Sequence, residues 1–267
     1  MDSVSKGFDF ALSYPQWQGS GRSENLLRGA LATAQVCGAF AELEQVPIAR
    51  TEGDRSGVNN LVPILDQLAS AQKILRERAG SRLLVAGGDC AVDIPIIDYL
   101  AGLYPDLTVI WIDSHFDANT PDTSPSGDLH GMPVAAIMGA APDELRALLR
   151  NPLSPDRFRY VWANVADPGD RDFQAARGLR WLRDDETIAG PVHIHFDLDV
   201  LDPREFPFLA YPEPTGMPIA KAISLLERLA QQSNIVGLTI TEFAPANETD
   251  ARTGGQTIAA LCEAVLC

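Results

Sequence analysis

The chain has 267 residues, 46% of them hydrophobic, so it is long enough to bury a substantial core. Its 36 acidic residues outnumber its 21 basic residues and give a formal net charge of -15. This charge repels nucleic acid and anionic membrane surfaces, and it favours cationic ligands or metal ions. No apolar stretch approaches the roughly 18 residues that a membrane span requires. We therefore expect neither a nucleic acid nor a membrane as a partner.

The four cysteines, Cys37, Cys90, Cys262 and Cys267, show no paired spacing. The first residues, MDSVSKGFDF, lack the basic start and apolar stretch of a signal peptide. We therefore predict a reduced, cytoplasmic protein. The pattern assigns no function to Cys37, Cys262 or Cys267.

The predicted elements begin with a strand in GFDFALSY, followed by a helix in SENLLRGALATAQVCGAF. The segment NNLVPILDQLASAQKILRERAG predicts a second helix, because its apolar residues recur at a 3.6-residue period. Five short strands rich in Val, Ile and aromatic residues follow: RLLVAGG, LTVIWID, FRYVWAN, VHIHFDLD and NIVGLTITEF. Between the last two, MPIAKAISLLERLAQQ predicts a further helix.

Continuous rather than alternating hydrophobicity indicates strands that are covered on both faces. The chain is therefore predicted to form one domain over residues 1–267, an α/β fold with a mostly parallel sheet between helices. The longest irregular segments, SYPQWQGSGR, DANTPDTSPSGDLHG and VLDPREFPFLAYPEPTG, each follow a strand. Such loops carry the ligand sites of open α/β sheets.

Two strand ends carry acidic residues at alternate positions. Asp113, His115 and Asp117 share one parity in IWIDSHFDAN. In HIHFDLDVLDP the same alternation places four residues on one side of the strand, namely His193, His195, Asp197 and Asp199. Carboxylates gathered at buried strand ends repel one another, so either their pKa values rise or a cation is present. Oxygen ligands with one or two imidazoles suit manganese, or else iron or zinc.

The sequence resembles the ureohydrolase family of arginases, agmatinases and their relatives. Four motifs carry this resemblance: GGDC at 87–90, DSHFDANTPDTSPSGDLHG at 113–131, HFDLDVLDP at 195–203 and TEFAP at 241–245. The resemblance implies a three-layer α/β/α fold with about eight strands and two Mn²⁺ ions. It also implies metal ligation by Asp113, His115, Asp117, Asp197 and Asp199.

Cys90 departs from the family pattern, which normally has a metal-binding histidine after GGD. We predict that Cys90 takes this ligand's place and that the adjoining ion is held weakly or is missing, since a neutral thiol binds a hard ion poorly. The alternative is an inert, buried thiol at the start of a helix.

The resemblance also implies a reaction, in which a metal-bound hydroxide attacks the carbon of a guanidino group. His130 matches the residue that transfers protons, Glu242 matches the carboxylate that holds the guanidino group, and Asp117 completes the predicted catalytic set. At the other end of the substrate, the matching positions predict contacts with the α-carboxylate or α-amino group from Asn119, Ser124, Ser126 and Asp167. Asp128 stands where arginases usually have asparagine, and we include it among the substrate-binding residues.

A site with this amino-acid-binding loop and a thiol resembles the site of those family members that act in D-cycloserine biosynthesis. They hydrolyse Nω-hydroxy-L-arginine to L-ornithine and hydroxyurea. The substrate expected is thus a small cationic amino acid. L-Arginine, agmatine, another guanidino acid and formiminoglutamate remain alternatives. A catalytically weak relative that only binds its ligand is a further alternative, and a homo-oligomer is left open.

Overall fold

The computed structural model of the protein describes residues 7–21 and 23–266. This part of the chain forms a sheet of eight strands, all parallel, in the order β2-β1-β3-β8-β7-β4-β5-β6. The strands are β1 Phe10–Tyr14, β2 Leu43–Gln45, β3 Leu83–Gly87, β4 Thr108–Ile112, β5 Phe158–Val161, β6 Arg180–Trp181, β7 Pro191–Asp197 and β8 Asn234–Thr241. The predicted parallel α/β sheet is confirmed.

Eight α-helices occur in the same described part. They are α1 Ser23–Cys37, α2 Leu61–Arg78, α3 Asp93–Leu103, α4 Pro133–Ile137, α5 Asp143–Arg146, α6 Pro168–Arg177, α7 Ile219–Gln232 and α8 Glu248–Ala264. Within the described residues, none of them has the length and apolar character needed to cross a membrane.

The helices cover both faces of the sheet, as continuous strand hydrophobicity predicts. Along β4, Val109 and Trp111 join one buried cluster with residues of α2, α3 and α4. Ile110 and Ile112 join a second cluster on the opposite face, with residues of α1, α7 and α8. Alternate residues of a strand point to opposite faces, so each strand feeds both cores. The result is a three-layer α/β/α arrangement.

The four central strands, β3, β8, β7 and β4, are neighbours in the sheet, and their carboxyl ends lie side by side. The two glycines at the end of β3 allow the chain to turn there in close contact with its surroundings. A Cβ atom at Gly88 would overlap the carbonyl group of Gln16. Two of the three cysteines to which the sequence assigns no function, Cys37 and Cys262, are buried away from this edge. The third, Cys267, lies outside the described residues.

Candidate metal centre

Four side chains from three segments of the chain converge at the ends of β3, β4 and β7. Their potential ligand atoms all lie within 4.8 Å of one another, and all four residues are buried. The Cys90 thiol donates a hydrogen bond to Asp197 Oδ2 over 2.8 Å. We call this set the inner group; it consists of Cys90, Asp113, His195 and Asp197.

A second set, the outer group, consists of Asp113, His115 and Asp199, again within 4.8 Å. His115 Nδ1 lies 3.0 Å from Asp199 Oδ2 and 3.5 Å from Asp113 Oδ1. Asp113 belongs to both groups, so two ions bound here would be neighbours that share one carboxylate. The structure thus brings together five of the predicted ligands and adds His195.

The sixth predicted ligand, Asp117, is buried and lines the same cavity, but it belongs to neither group. Both Asp117 and Glu242 have positive φ angles, 52° and 61°. Strained backbone of this kind is concentrated at functional sites, because other contacts must hold it in place. Glu242 Oε1 accepts a hydrogen bond from the Cys90 amide over 3.3 Å and lies 3.7 Å from His130 Nδ1.

The electrostatics of this cluster favour a cation. Burial and the neighbouring carboxylates raise the pKa of Asp197 and of Asp117 well above the usual value. Burial also raises the pKa of Asp199 to about 7. Within the described residues, three buried carboxylate oxygens have no hydrogen-bond partner, namely Asp117 Oδ2, Asp199 Oδ1 and Glu242 Oε2. Divalent ions would satisfy such oxygens, so the residues fit a metal centre.

Four of the predicted substrate residues line the same cavity, which has a volume of about 260 Å³. They are Asn119, Ser124, Ser126 and Asp167, and the rest of the lining includes His130 and five metal-binding candidates, Cys90, His115, Asp117, Asp197 and Asp199. Asn119 Nδ2 donates to Asp167 Oδ2 over 3.4 Å, so the two halves of this wall are in contact. Asp167 also begins α6, where it forms a capping box with Asp170.

Asp128 is set apart from the other predicted substrate residues. Its Oδ1 accepts a hydrogen bond from Asn59 over 2.9 Å, and it lines a neighbouring cleft with Trp17 and Asn60. The structure therefore does not bring Asp128 to the wall of the cavity. Its charge still reaches His130, since it contributes to raising the pKa of that imidazole.

Sequence reasoning missed two side chains on the irregular segment 202–217. The Tyr211 ring lies against the His130 ring with centroids 5.1 Å apart, and its hydroxyl donates to the Ser20 carbonyl over 3.0 Å. Glu213 Oε1 lies 3.4 Å from His115 Nε2. The segment has no repeating pattern that would indicate which of its residues turn inward.

A buried acid on α3 was missed as well. Asp93 Oδ2 lies 2.8 Å from His193 Nε2 and 2.9 Å from His195 Nδ1, and Asp93 Oδ1 accepts a hydrogen bond from Thr239. Burial raises the pKa of Asp93, but the two histidines lower it more, so the net shift is downward. An acid at the start of the apolar segment AVDIPII was the available signal.

These features define an α/β/α protein with two adjoining sets of potential metal ligands at the carboxyl edge of its sheet. The model of the arginase family matches residues 27–267, so the chain belongs to this family. The arginase of Staphylococcus aureus strain MRSA252 is 28% identical to it over 241 residues, which cover 81% of this chain and 79% of the relative.

Solved structures agree with this assignment at the level of the fold. The arginase of Entamoeba histolytica, crystallised in complex with L-ornithine, superposes with a TM-score of 0.84 at 19% identity, covering 98% of this chain and 99% of that one. The proclavaminate amidino hydrolase of Streptomyces clavuligerus has a TM-score of 0.73 at 18% identity, covering 97% and 92%.

Proposed function

We propose that the protein is a manganese-dependent amidinohydrolase that cleaves Nω-hydroxy-L-arginine to L-ornithine and hydroxyurea. Membership of the arginase family supports the broader class, hydrolases of carbon–nitrogen bonds in linear amidines. The observation that carries the proposal is one cavity that is lined both by members of the two sets of metal ligands and by Asn119, Ser124 and Asp167.

The inner and outer groups, together with the adjacent Asp117, would hold two Mn²⁺ ions. Bound there, such ions lower the pKa of water and so supply a nucleophile at neutral pH. Carboxylates and imidazoles are ligands that manganese accepts. The protein's own contribution is to hold these side chains at the ends of rigid, buried strands, so that little reorganisation is needed during the reaction.

Glu242 and His130 act on the reacting end of the substrate in this proposal. Glu242 Oε2 has no hydrogen-bond partner within the described residues, so it is free to accept hydrogen bonds from the guanidino N–H groups. Its other oxygen faces His130 Nδ1, and this contact, although burial works against it, raises the pKa of His130. A protonated His130 can then donate a proton to the leaving amine.

The opposite end of the substrate would be held by the loop 119–126 and by α6. Asn119, Ser124 and Ser126 supply hydrogen-bonding groups for the α-carboxylate, and Asp167 supplies an anion for the α-amino group. An α-amino acid would thus be preferred over agmatine, which lacks the carboxylate. The L-ornithine bound by the Entamoeba histolytica arginase is the product expected here.

In the reaction, water oxygen bonds to the guanidino carbon, and the bond from that carbon to Nδ of the amino acid breaks. The proton from water passes to the leaving nitrogen by way of His130, which leaves L-ornithine and hydroxyurea. Cys90 favours the hydroxylated substrate over L-arginine in this proposal. An N-hydroxyguanidine is less basic than the guanidino group of L-arginine, so its carbon is attacked more readily. Its hydrolysis therefore needs less activation by a metal centre that has a thiol in place of an imidazole.

The test is a product assay on the purified protein after loading with Mn²⁺, with bound metal measured on the same samples. We expect hydroxyurea and L-ornithine from Nω-hydroxy-L-arginine, and urea more slowly from L-arginine. Urea from L-arginine at the higher rate would identify an arginase instead. No product from either compound, with Mn²⁺ bound or not, would favour a relative that only binds its ligand.

The substitution Cys90→His tests the part assigned to the thiol. We expect tighter Mn²⁺ binding, by about tenfold, because a neutral imidazole binds this ion without first losing a proton. The ratio of kcat/KM for L-arginine to that for Nω-hydroxy-L-arginine should rise. Cys262→Ser is the control, since that buried thiol lies in the opposite layer. Unchanged metal binding in Cys90→His would count against Cys90 as a ligand.

A further inference from the structure

We infer that His195 is a metal ligand and supplies the imidazole of the inner group. This inference rests on the proposed metal-dependent function, because it concerns how the same centre is built. It adds a ligand that the family resemblance does not assign, on the strand β7 that also carries Asp197.

The orientation of the His195 ring leaves one nitrogen for an ion. Nδ1 faces Asp93 Oδ2 at 2.9 Å, so Nδ1 carries the proton and donates it to this carboxylate. Nε2 then keeps its lone pair and accepts only a long hydrogen bond, over 3.4 Å, from the Thr241 hydroxyl, whose oxygen is itself 3.5 Å from Cys90 Sγ. A histidine bound to metal almost always donates its other N–H in this way, commonly to a carboxylate.

The surroundings of His195 also hold the ring still. Its face stacks on Trp111 with centroids 3.5 Å apart and planes only 3° from parallel. The Trp111 indole N–H donates to Asp113 Oδ2 over 2.9 Å. One buried tryptophan therefore positions two members of the inner group, as expected of residues that support a metal site.

The neighbouring His193 shows what an ordinary core histidine looks like in the same place. It lies two residues earlier on β7, is equally buried, and contacts the same Asp93. Its Nδ1, however, points toward Gly237, where a Cβ atom would overlap it, and His193 belongs to neither ligand group. The two rings share strand, face and partner, and only the His195 ring reaches the metal ligands.

The experiment compares His195→Asn with the matched control His193→Asn by titrating each metal-free protein with Mn²⁺ alone and counting bound ions. Asparagine retains a donor toward Asp93 but removes the second ring nitrogen, Nε2, which faces Thr241. We expect His195→Asn to bind one of the two ions more than about tenfold less tightly, while His193→Asn keeps the affinity of the wild-type protein for both. Equal affinities in His195→Asn and the wild-type protein would overturn the inference.

A second measurement needs no variant, so it remains decisive if His195→Asn does not fold. The wild-type protein, with ¹⁵N-labelled histidine, is loaded with Mn²⁺ and studied by electron spin echo envelope modulation. Coupling to nitrogens of two imidazoles, His115 and His195, is expected; coupling to one alone would contradict the inference. Two coupled imidazoles in a protein that releases no product would refute the proposed activity and leave the ligand assignment intact.

Discussion

The inner and outer groups share Asp113 yet differ in how the fold supports them. All members of the inner group are buried, with His195 fully inaccessible, and Asp93 of the rigid helix α3 contacts its imidazole. In the outer group, the His115 side chain is 27% exposed, and its other nitrogen faces Glu213 of the irregular segment 202–217. One imidazole is therefore fixed by the core and the other by a surface segment.

This difference predicts unequal exchange of the two ions. Members of both groups line the cavity, Cys90 and Asp197 as well as His115 and Asp199, but within the described part of the chain only the outer group contacts the irregular segment 202–217, through Glu213. Local opening of an irregular surface segment costs less free energy than opening of the sheet. We therefore expect a chelator to remove the outer ion first.

The largest effect should come from Asp113→Asn, which removes the charge that both groups share. We expect both ions to be bound weakly and kcat/KM to fall by more than about 10³-fold, because the activated water depends on the pair. Metal counting together with the product assay measures both outcomes. Asp122→Asn, the same chemical change at an exposed position of the following loop, is the control. Retention of one tightly held ion in Asp113→Asn would show that the groups are independent.

A smaller effect is expected from Glu213→Gln, which alters only the support of the outer group. Loss of the carboxylate beside His115 Nε2 should lower the affinity for one ion about tenfold and leave the affinity for the other unchanged. Titration with Mn²⁺ resolves the two affinities. Glu205→Gln, on the same segment, retains an oxygen for the hydrogen bond from the Ile219 amide and serves as the control. An equal loss of affinity for both ions in Glu213→Gln would show that this contact does not support the outer group alone.

Most of the fold was predictable, because the central strands are continuous apolar runs that end in short acidic motifs. The edge strands β2 and β6 were missed, since they have three and two residues and no apolar run. Their few residues pair with a neighbouring strand that the local sequence does not specify.

The candidate site was predictable wherever ligands follow a strand directly, as Asp113 and Asp197 do. Alternation placed His195 on the same side as Asp197, but only the structure shows which ring nitrogen faces Thr241 and which faces Asp93. Asp93 and Glu213 belong to elements distant in sequence, so their contacts depend on tertiary packing. Asp128 was predicted among the substrate-binding residues because it matches a family position, and the turn of its loop directs it to Asn59 instead.

The smallest effect is expected from Asp128→Asn, which alters neither ligand group and acts on His130 through charge alone. Burial lowers the pKa of His130, but Glu242, Asp89 and Asp128 raise it more, so the net shift is upward. Because a protonated His130 is needed to donate a proton, activity should fall as pH rises through this pKa. Removing the Asp128 charge lowers the pKa, so the decline of kcat should begin at lower pH, while kcat at neutral pH changes less than about threefold. The pH profiles of kcat for Asp128→Asn and the Asp122→Asn control measure this shift, and a decline that moved to higher pH would separate His130 from the proton transfer.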